Sequence, residues 1–382
     1  MVASLAPDTL LQLPHGGDCH AAAAIANCAP DEILDFSASL NPLGPPASVL
    51  QAVASTPAAI AAYPDPDSTQ LRQALAEHYR LNPEWILAGN GAAELFTWIA
   101  RDCAGIGETG LPVPAFGDYV RALRTANASH TNLTMLDAAG RLAPASVLKR
   151  LQERRQLLPV LFLNNPHNPT GHVWKRAELL EILPRFQLVV VDEAFMDFLP
   201  GDGASLLGDI YQWPQLVIVR SLTKFFAIAG LRVGFAVSHP DRLARWRQWR
   251  DPWSVNGLAT LGAVAALNDY QFQHQTRAWL PAARQDLLAG FACLPGCDPY
   301  PSAANFLLIH TEVSVAALQH ELLVRDRILI RNCYSFARDG SLGNDGDRYF
   351  RVAVRTPAEN TRLLQSCARL LPELEREASF QS

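Results

Sequence analysis

A lysine in an apolar segment is the feature of this 382-residue chain that most directly indicates chemistry. Lys224 follows Ser221 by three residues and precedes Arg232 by eight. Burial disfavours the charged form of a lysine, so its amine can form a Schiff base with an aldehyde. A serine hydroxyl and an arginine guanidinium both bind phosphate oxygens. The alternative is a solvated lysine near the end of a strand, which is the more usual position of this residue type.

These three residues predict pyridoxal 5′-phosphate (PLP) as the cofactor, because it carries both an aldehyde and a phosphate. Asp192 follows the apolar run 188–191. An aspartate at the end of a strand can pair with the protonated pyridine nitrogen of the cofactor and keep the ring an electron sink. The alternative is a helix cap or a salt bridge.

Three other segments supply candidate contacts to the same cofactor. Asn168 could donate to its phenolic oxygen, although the following proline and glycine also favour a plain turn. Gly91, Ala92 and Ala93 precede a helical run, where small residues leave backbone N–H groups free to bind phosphate. Phe116 could stack on the ring or belong to the core.

Short apolar runs indicate the elements that position these residues. Residues 159–163, 188–191 and 216–219 are continuously apolar, which is typical of parallel strands buried on both faces. A polar segment follows each run, and ligands of parallel α/β sheets bind beyond the carboxyl ends of the strands. Three polar segments at three strand ends therefore predict one site.

The remainder of the chain predicts further elements and three parts. Residues 68–79 have helical spacing, with Ser68 as the expected cap, and 305–309, 328–330 and 349–354 are predicted strands. Residues 1–45 resemble an irregular arm with one helical patch at 21–27. We expect this arm (1–45) to join a small C-terminal domain (261–382), with a large PLP-binding domain (46–260) between them.

Composition excludes several classes of function. Apolar residues make up 49% of the chain, charged residues 18%, and the net charge is −5, so nothing favours nucleic acid or a membrane surface. Seven scattered cysteines without zinc-ligand spacing predict free thiols, no metal and a cytoplasmic protein. The first residues lack a basic segment, so we expect no signal peptide, and no apolar run is long enough to span a bilayer.

In this order along the chain, the candidate residues resemble the fold type I PLP enzymes of the class I/II aminotransferase superfamily. The resemblance covers nearly the whole chain. It implies an α/β fold, with a large domain whose mostly parallel sheet is covered by helices and a smaller α+β domain. It also implies that Lys224 carries the cofactor and that Asp192 faces the pyridine nitrogen. Asn168 is expected to contact the phenolic oxygen, and Phe116 to stack on the ring.

The resemblance extends to the phosphate and to the partner subunit. The groups expected to hold the phosphate are Ser221, Arg232, Gly91, Ala92 and Ala93. Tyr63 matches a tyrosine that reaches the phosphate in the neighbouring subunit, which implies a homodimer with shared active sites. Arg351 matches the arginine that binds the substrate carboxylate. Phe195 stands where many members have a tyrosine that hydrogen-bonds the phenolic oxygen, so one donor is absent.

Four segments are more specific than the superfamily and indicate one reaction within it, namely residues 15–17, 34–44, 252–256 and 328–331. Together with Phe195 they resemble the L-threonine O-phosphate decarboxylases of cobalamin biosynthesis. That resemblance implies decarboxylation of O-phospho-L-threonine to (R)-1-aminopropan-2-ol phosphate. The implied substrate contacts are His15, Gly16, Ser39, Asn168, Arg331 and Arg351. Ser39 stands where that family often has asparagine.

The residue types suit a substrate with two anionic groups. Arg331 and Arg351 offer two guanidinium groups, each able to bind an oxyanion through two hydrogen bonds, and His15 could close over the substrate from the arm. The alternatives are surface salt bridges for the arginines and an exposed loop for the histidine.

Two other functions stay open on the sequence. Histidinol-phosphate aminotransferases share the fold, the cofactor and a phosphorylated substrate, are expected to share both arginines, and differ in which bond at the α carbon is broken. The segments 15–17 and 252–256 argue against this reading. The second alternative is a binding module of the same fold that has lost catalysis, against which the presence of Lys224, Asp192 and Arg232 argues.

Overall fold

The computed structural model describes residues 15–137, 141–154, 158–201, 203–336 and 343–381. Its strands within these ranges are β1 (Leu34–Asp35), β2 (Ile86–Gly89), β3 (Thr109–Val113), β4 (His130–Thr134), β5 (Val160–Asn164), β6 (Leu188–Asp192), β7 (Leu216–Ser221), β8 (Gly234–Ser238), β9 (Cys297–Pro299), β10 (Phe306–Thr311), β11 (Ile328–Leu329), β12 (Arg331–Asn332) and β13 (Tyr349–Ala353). Its α-helices there are α1 (Cys19–Ala26), α2 (Ala47–Ala54), α3 (Thr69–Tyr79), α4 (Gly91–Ile106), α5 (Gly117–Thr125), α6 (Ser146–Glu153), α7 (Arg176–Ile182), α8 (Leu222–Phe225), α9 (Pro240–Trp249), α10 (Gly257–Asn268), α11 (Tyr270–Ala292), α12 (Val315–Asp326) and α13 (Pro357–Gln381).

The central sheet has the strand order β2-β8-β7-β6-β5-β3-β4 within the described residues. Neighbouring strands from β7 through β6, β5 and β3 to β4 are parallel, and β8 pairs antiparallel with both β7 and β2. The predicted α/β class with a mostly parallel sheet is therefore confirmed. The three strands predicted from apolar runs are β5, β6 and β7, each within two residues of the expected bounds.

Alternate side chains of these strands enter two separate hydrophobic clusters. In β6, Val189 and Val191 pack into one cluster, while Leu188 and Val190 pack into the other. The cluster with Val189 and Val191 includes side chains of α6, α7 and α10. The cluster with Leu188 and Val190 includes side chains of α4 and α5. Helices on both faces bury every residue of the strand, so the run is apolar without alternation.

Helix α3 confirms the predicted helix, but its cap differs from expectation. Ser68 occupies the N-cap position in a left-handed conformation, with φ of 48°, and its side chain makes no capping hydrogen bond. The carboxylate of Asp65 accepts instead from the backbone N–H of Thr69, at 2.7 Å, and of Asp67, at 3.0 Å. The capping role predicted for Ser68 is wrong because Asp65 already satisfies the first free N–H.

The second sheet, in the order β12-β13-β10-β9, is antiparallel. β10 and β13 confirm two predicted strands. The strand predicted at 328–330 is confirmed as β11, which ends one residue earlier than expected and pairs with β1, whereas the following β12 pairs with β13. The chain passes from one sheet to the other at Ile330, whose carbonyl accepts a hydrogen bond from Gln319 at 2.7 Å. An apolar run indicates burial but does not indicate the pairing partner.

The N-terminal segment packs on the C-terminal part of the chain. Ala22 and Ala23 of α1 share a small hydrophobic cluster with Leu323 and Leu329. Strand β1 pairs parallel with β11, with Leu34 opposite Ile328. The predicted helical patch at 21–27 lies within α1 and the residue that follows it. The division into an arm (1–45), a large domain (46–260) and a small domain (261–382) stays our proposal, and residues 1–14 lie outside the described part.

Two further observations concern the described ranges. None of their helices combines the length and apolar character needed to cross a membrane. All seven cysteines are free.

Candidate active site

The carboxyl ends of the parallel strands meet at one cavity, as the sequence predicts. Asn164 at the end of β5 lies opposite Asp192 at the end of β6, and β7 leads directly into the short helix that carries Lys224. The cavity has a volume of about 210 Å³. Its lining residues are His15, Gly16, Ser37, Ala38, Ser39, Leu40, Ala92, Ala93, Phe96, Phe116, Asp118, Asn168, Asp192, Ala194, Phe195, Ser221, Thr223, Lys224, Arg232 and Arg351.

Lys224 is one of the residues that line this cavity. Its amine Nζ lies 3.3 Å from the Ser221 hydroxyl and 5.8 Å from the centre of the Phe195 ring. Burial lowers the pKa of Lys224, and the negative charge of Asp192 opposes this shift. A lower pKa increases the fraction of neutral amine, which is the form that attacks an aldehyde.

Asp192 is a buried carboxylate whose two oxygens are both fixed. Oδ1 accepts from the backbone N–H of Ala194 at 2.9 Å, and Oδ2 accepts from the hydroxyl of Tyr119. Burial raises the pKa of Asp192, whereas the Tyr119 hydrogen bond and the charge of Lys224 lower it. The carboxylate is thereby held in one orientation at the edge of the cavity.

Glu193, the next residue, faces the opposite side of the chain. Its Oε2 accepts from Nε of Arg220 at 2.9 Å, and Nη1 of Arg220 donates to Asp197 at 2.7 Å. Glu193, Arg220 and Asp197 are all buried. Consecutive residues of an extended chain point to opposite faces, so one carboxylate reaches the cavity and the other a buried ion pair.

The start of α4 and Arg232 form a compact cradle. Gly91 has φ of +73°, and a Cβ atom there would lie 2.6 Å from Nη2 of Arg232. A Cβ at Gly234 would lie 2.9 Å from the backbone nitrogen of Ala92. Asn90 caps the helix without a side-chain hydrogen bond. Two glycines thus bring a guanidinium and the first amides of α4 together, an arrangement suited to a phosphate.

Asn168 lies on the loop after β5, and its position is set from both sides. Its backbone N–H donates to Oδ1 of Asn164 at 2.6 Å, and its own Oδ1 accepts from Nη1 of Arg351 at 2.6 Å. The neighbouring His167 is buried, and its Nδ1 lies 2.8 Å from the Thr170 hydroxyl. Burial lowers the pKa of His167 to about 3, while a hydrogen bond to the Pro114 carbonyl opposes the shift.

The two predicted arginines occupy directly opposed positions on neighbouring strands. Arg331 of β12 is paired with Arg351 of β13, and both guanidinium groups lie over the Phe336 ring, at 5.5 and 5.9 Å. Burial lowers the pKa of Arg351 to about 10, and its buried Nε has no hydrogen-bond partner within the part of the chain that the structure describes. Arg351 lines the main cavity, whereas Arg331 lines a small adjoining one together with His15 and Gly16.

The arm contributes His15 and Gly16 to both cavities. The His15 ring lies 5.5 Å from the Phe116 ring, and its Nε2 lies 4.0 Å from Oδ1 of Asp118. Burial lowers the pKa of His15, the Asp118 charge opposes the shift, and the positive charges of Arg331 and Arg121 add to it. His15, which we expected to close over the substrate, thus lies beside Phe116, the residue predicted to stack on the cofactor ring.

Ser39 and Tyr63 have different surroundings. Ser39 is buried at the cavity, and its Oγ has no hydrogen-bond partner among the described residues. Tyr63 is 80% exposed and stacks on Trp253, with the ring centres 4.4 Å apart. Tyr63 is not among the residues that line the cavity within the single chain.

Three contributors to the site were missed by the sequence reasoning. Tyr119 binds Asp192, Asp118 faces His15, and Ser37 accepts from Arg351 through its backbone carbonyl. Tyr119 had a signal, because it follows Phe116 by three residues at a helix start and therefore lies on the same side. The role of Ser37 depends on Arg351, which lies on a strand more than 300 residues away, so no local sequence pattern indicated it.

Comparison with known proteins identifies the family to which this chain is similar. The family model "Aminotransferase class I and II" matches residues 31–366. The chain is 37% identical to the threonine-phosphate decarboxylase of Salmonella typhimurium, over 95% of this chain and 98% of the relative. It is 33% identical to the histidinol-phosphate aminotransferase of Symbiobacterium thermophilum, over 90% and 91%. The L-threonine-O-3-phosphate decarboxylase structure from Porphyromonas gingivalis superposes with a TM-score of 0.76 at 26% identity, covering 88% of this chain and 99% of that one.

Proposed function

The chain belongs to the class I and II aminotransferase family, and we propose that it is a PLP-dependent carboxy-lyase that decarboxylates O-phospho-L-threonine. The product is (R)-1-aminopropan-2-ol phosphate, which serves as the linker of the cobalamin nucleotide loop. The 37% identity to a threonine-phosphate decarboxylase over nearly the whole of both chains supports this choice. The structural observation that carries it is the pair Arg331 and Arg351, which are directly opposed next to His15.

The opposed arginines place two guanidinium groups on the same face of a strand pair. A ligand with two anionic groups complements these charges, and O-phospho-L-threonine carries a carboxylate and a phosphate. Arg351 is fixed by hydrogen bonds to Asn168 and Ser37, so it can bind the carboxylate in one orientation. Arg331 and His15 share the adjoining cavity and take mainly the phosphate.

The cavity carries side chains suited to each functional group of PLP. Lys224 would bind the aldehyde, Asp192 would face the ring nitrogen, Asn168 would contact the phenolic oxygen and Phe116 would cover the ring face. The groups proposed to hold the phosphate are Ser221, Arg232, Gly91, Ala92 and Ala93. When bound, the cofactor supplies an electron sink for the bond that breaks at the substrate α carbon. The close approach of Arg232 to Gly91, which leaves no room for a Cβ, supports this assignment.

The protein side chains then divide the remaining work. Asp192 is held in one orientation at the edge of the cavity, because the Tyr119 hydroxyl and the Ala194 N–H hold both of its oxygens. Lys224, whose pKa is lowered by burial, can return a proton to the substrate α carbon. Phe195 presents an apolar ring to the lysine where a tyrosine would donate a hydrogen bond.

The decisive experiment is product analysis with O-phospho-L-threonine. Release of CO₂ with formation of the amine supports the proposal. The second candidate, histidinol-phosphate aminotransferase, is favoured by the 33% identity to such an enzyme. Formation of a ketone from histidinol phosphate, which has no carboxylate, with no CO₂ from O-phospho-L-threonine, would establish that function instead.

We also propose a homodimer that acts in the cytoplasm. The exposed, stacked pair of Tyr63 and Trp253 supports an interface through which Tyr63 completes the site of the partner subunit. The seven free cysteines suit a reducing compartment.

A further inference from the structure

Ser37 makes hydrogen bonds in two directions from the cavity wall. Its Oγ accepts from the backbone N–H of Gly17 at 2.8 Å, and its backbone carbonyl accepts from Nη2 of Arg351 at 2.9 Å. The residue is 2% exposed, so water does not compete for these contacts. Ser37 itself belongs to the arm (1–45), and it therefore touches both the start of the arm at residues 15–17, which carries His15, and the arginine that binds the carboxylate in the proposed function.

Asp35 fixes the conformation of Ser37. Its Oδ1 accepts from the backbone N–H of Ser37 at 2.7 Å, from the Ser37 hydroxyl at 2.6 Å and from the backbone N–H of Ala38 at 3.3 Å. Asp35 is itself anchored, because β1 pairs with β11 and its carbonyl accepts from Arg355 at 3.0 Å. The Ser37 hydroxyl donates to Asp35, so its lone pairs remain directed at Gly17.

Gly16 shows how closely the arm approaches the same residue. A Cβ atom at Gly16 would lie 2.3 Å from the Ser37 carbonyl oxygen, a distance that side chains do not tolerate. The arm therefore lies directly on the carbonyl that binds Arg351.

We propose that Ser37, held by Asp35, is a positioning residue that fixes the start of the arm (residues 15–17) relative to Arg351. The Ser37 hydroxyl sets the arm, and hence His15, while its carbonyl sets Arg351. In the proposed function the substrate phosphate binds beside His15 and the carboxylate binds Arg351. By fixing both, Ser37 sets the distance between the two anion-binding groups. This last step rests on the proposed function, whereas the contact between Ser37 and the arm does not.

Hydrogen–deuterium exchange of the holoenzyme tests the contact with the arm. Ser37→Ala removes the acceptor of the Gly17 N–H, and peptides spanning residues 15–27 are expected to exchange roughly tenfold faster. Ser238→Ala is the matched control, because Ser238 is a buried serine of β8 whose hydroxyl donates to the Leu216 carbonyl at 2.8 Å. In Ser238→Ala, exchange of the arm should equal that of the wild type.

A second variant approaches the contact from the arm. Gly16→Ala places its Cβ against the Ser37 carbonyl and should increase exchange of the same peptides, even if Ser37→Ala does not fold. Wild-type exchange of the arm in either folded variant overturns the proposal.

Steady-state kinetics separate positioning from a purely structural role. In Ser37→Ala the backbone N–H still binds Asp35, so the carbonyl keeps Arg351 in place while the arm is released. We expect KM for O-phospho-L-threonine to rise roughly tenfold with kcat within about twofold. Asp35→Ala frees the carbonyl as well, and should raise KM and also lower kcat.

The kinetic outcomes are distinguishable from a failure of the proposed function. A lower kcat at unchanged KM in Ser37→Ala would contradict the positioning role. A wild-type enzyme that releases no CO₂ from O-phospho-L-threonine would contradict the proposed function, while the exchange experiment would still decide whether Ser37 holds the arm.

Discussion

Nη1 of Arg351 donates a hydrogen bond to Oδ1 of Asn168 at 2.6 Å, although 183 residues separate the two. A guanidinium has only donors, so it settles which end of the amide is the oxygen. The NH₂ group of Asn168 is therefore left to donate at the cavity. The residue proposed to bind the substrate carboxylate thus orients the residue proposed to bind the phenolic oxygen.

The covalent assignment predicts a single modified lysine. Borohydride reduction of the holoenzyme, followed by peptide mapping, should locate the cofactor on Lys224. Lys224→Ala should lose turnover and retain its fold, because among the described residues the side chain makes one polar contact, with Ser221. Lys175→Ala is the control, since the side chain of Lys175 is exposed to solvent and lies beside Glu178 instead of lining the cavity. Label on any other lysine would reject the assignment.

The two arginines should have different kinetic signatures. Loss of a charge-assisted contact to an anion should lower kcat/KM for O-phospho-L-threonine by roughly two to three orders of magnitude in Arg331→Ala or Arg351→Ala. Arg331→Ala should also discriminate less against threonine, which lacks the phosphate. Arg351→Ala should form more oxo acid, because the carboxylate loses its orientation. Assays of CO₂, amine and oxo acid measure both effects, and identical profiles would contradict the division of roles.

Shared active sites predict complementation between inactive subunits. A hybrid of Lys224→Ala and Tyr63→Phe subunits contains one site with both Lys224 and the partner's intact Tyr63. Activity of the mixture should therefore exceed the sum of the two separate preparations. Mixing Lys224→Ala with the Lys224→Ala/Tyr63→Phe double variant gives the baseline. A fully active monomer on dilution would exclude a shared site.

His167 should make the folded state less stable as the pH falls. Its folded pKa, about 3, lies below the ordinary value of 6.5. Between these two values the unfolded chain binds more protons, so the free energy of unfolding should fall by up to about 1.4 kcal/mol per pH unit. His167→Gln should lose this slope in chemical denaturation from pH 6.5 to 4. The exposed His20→Gln should follow the wild type, and parallel slopes for His167→Gln would refute the prediction.

Gly91 should be required for cofactor affinity. Alanine there would carry a Cβ 2.6 Å from Nη2 of Arg232 and would need φ of +73°, a strain of about 1–2 kcal/mol. Gly91→Ala should weaken PLP binding roughly tenfold or more, measured by fluorescence titration. Gly105→Ala lies on the same helix, where a Cβ meets no atom within 4 Å, and should bind PLP normally.

The sequence allowed prediction of the sheet and of most of the cavity for one physical reason. Residues that follow buried parallel strands must emerge at one edge, so Asp192 and Lys224 could be placed together. Contacts between distant segments could not be deduced this way. The pairing of Arg331 with Arg351 depends on a switch between sheets at Ile330, and a continuous apolar run hides that switch.

The adjacent carboxylates Asp192 and Glu193 have a consequence for genetic screens. One points to the cavity, and the other binds the buried Arg220. Breaking a buried ion pair typically costs about 3–5 kcal/mol, enough to deplete the folded protein in cells. Random mutations at this dipeptide would therefore give the same inactive colonies for two unrelated reasons. Only a measurement of protein abundance beside activity would separate damaged chemistry from lost enzyme.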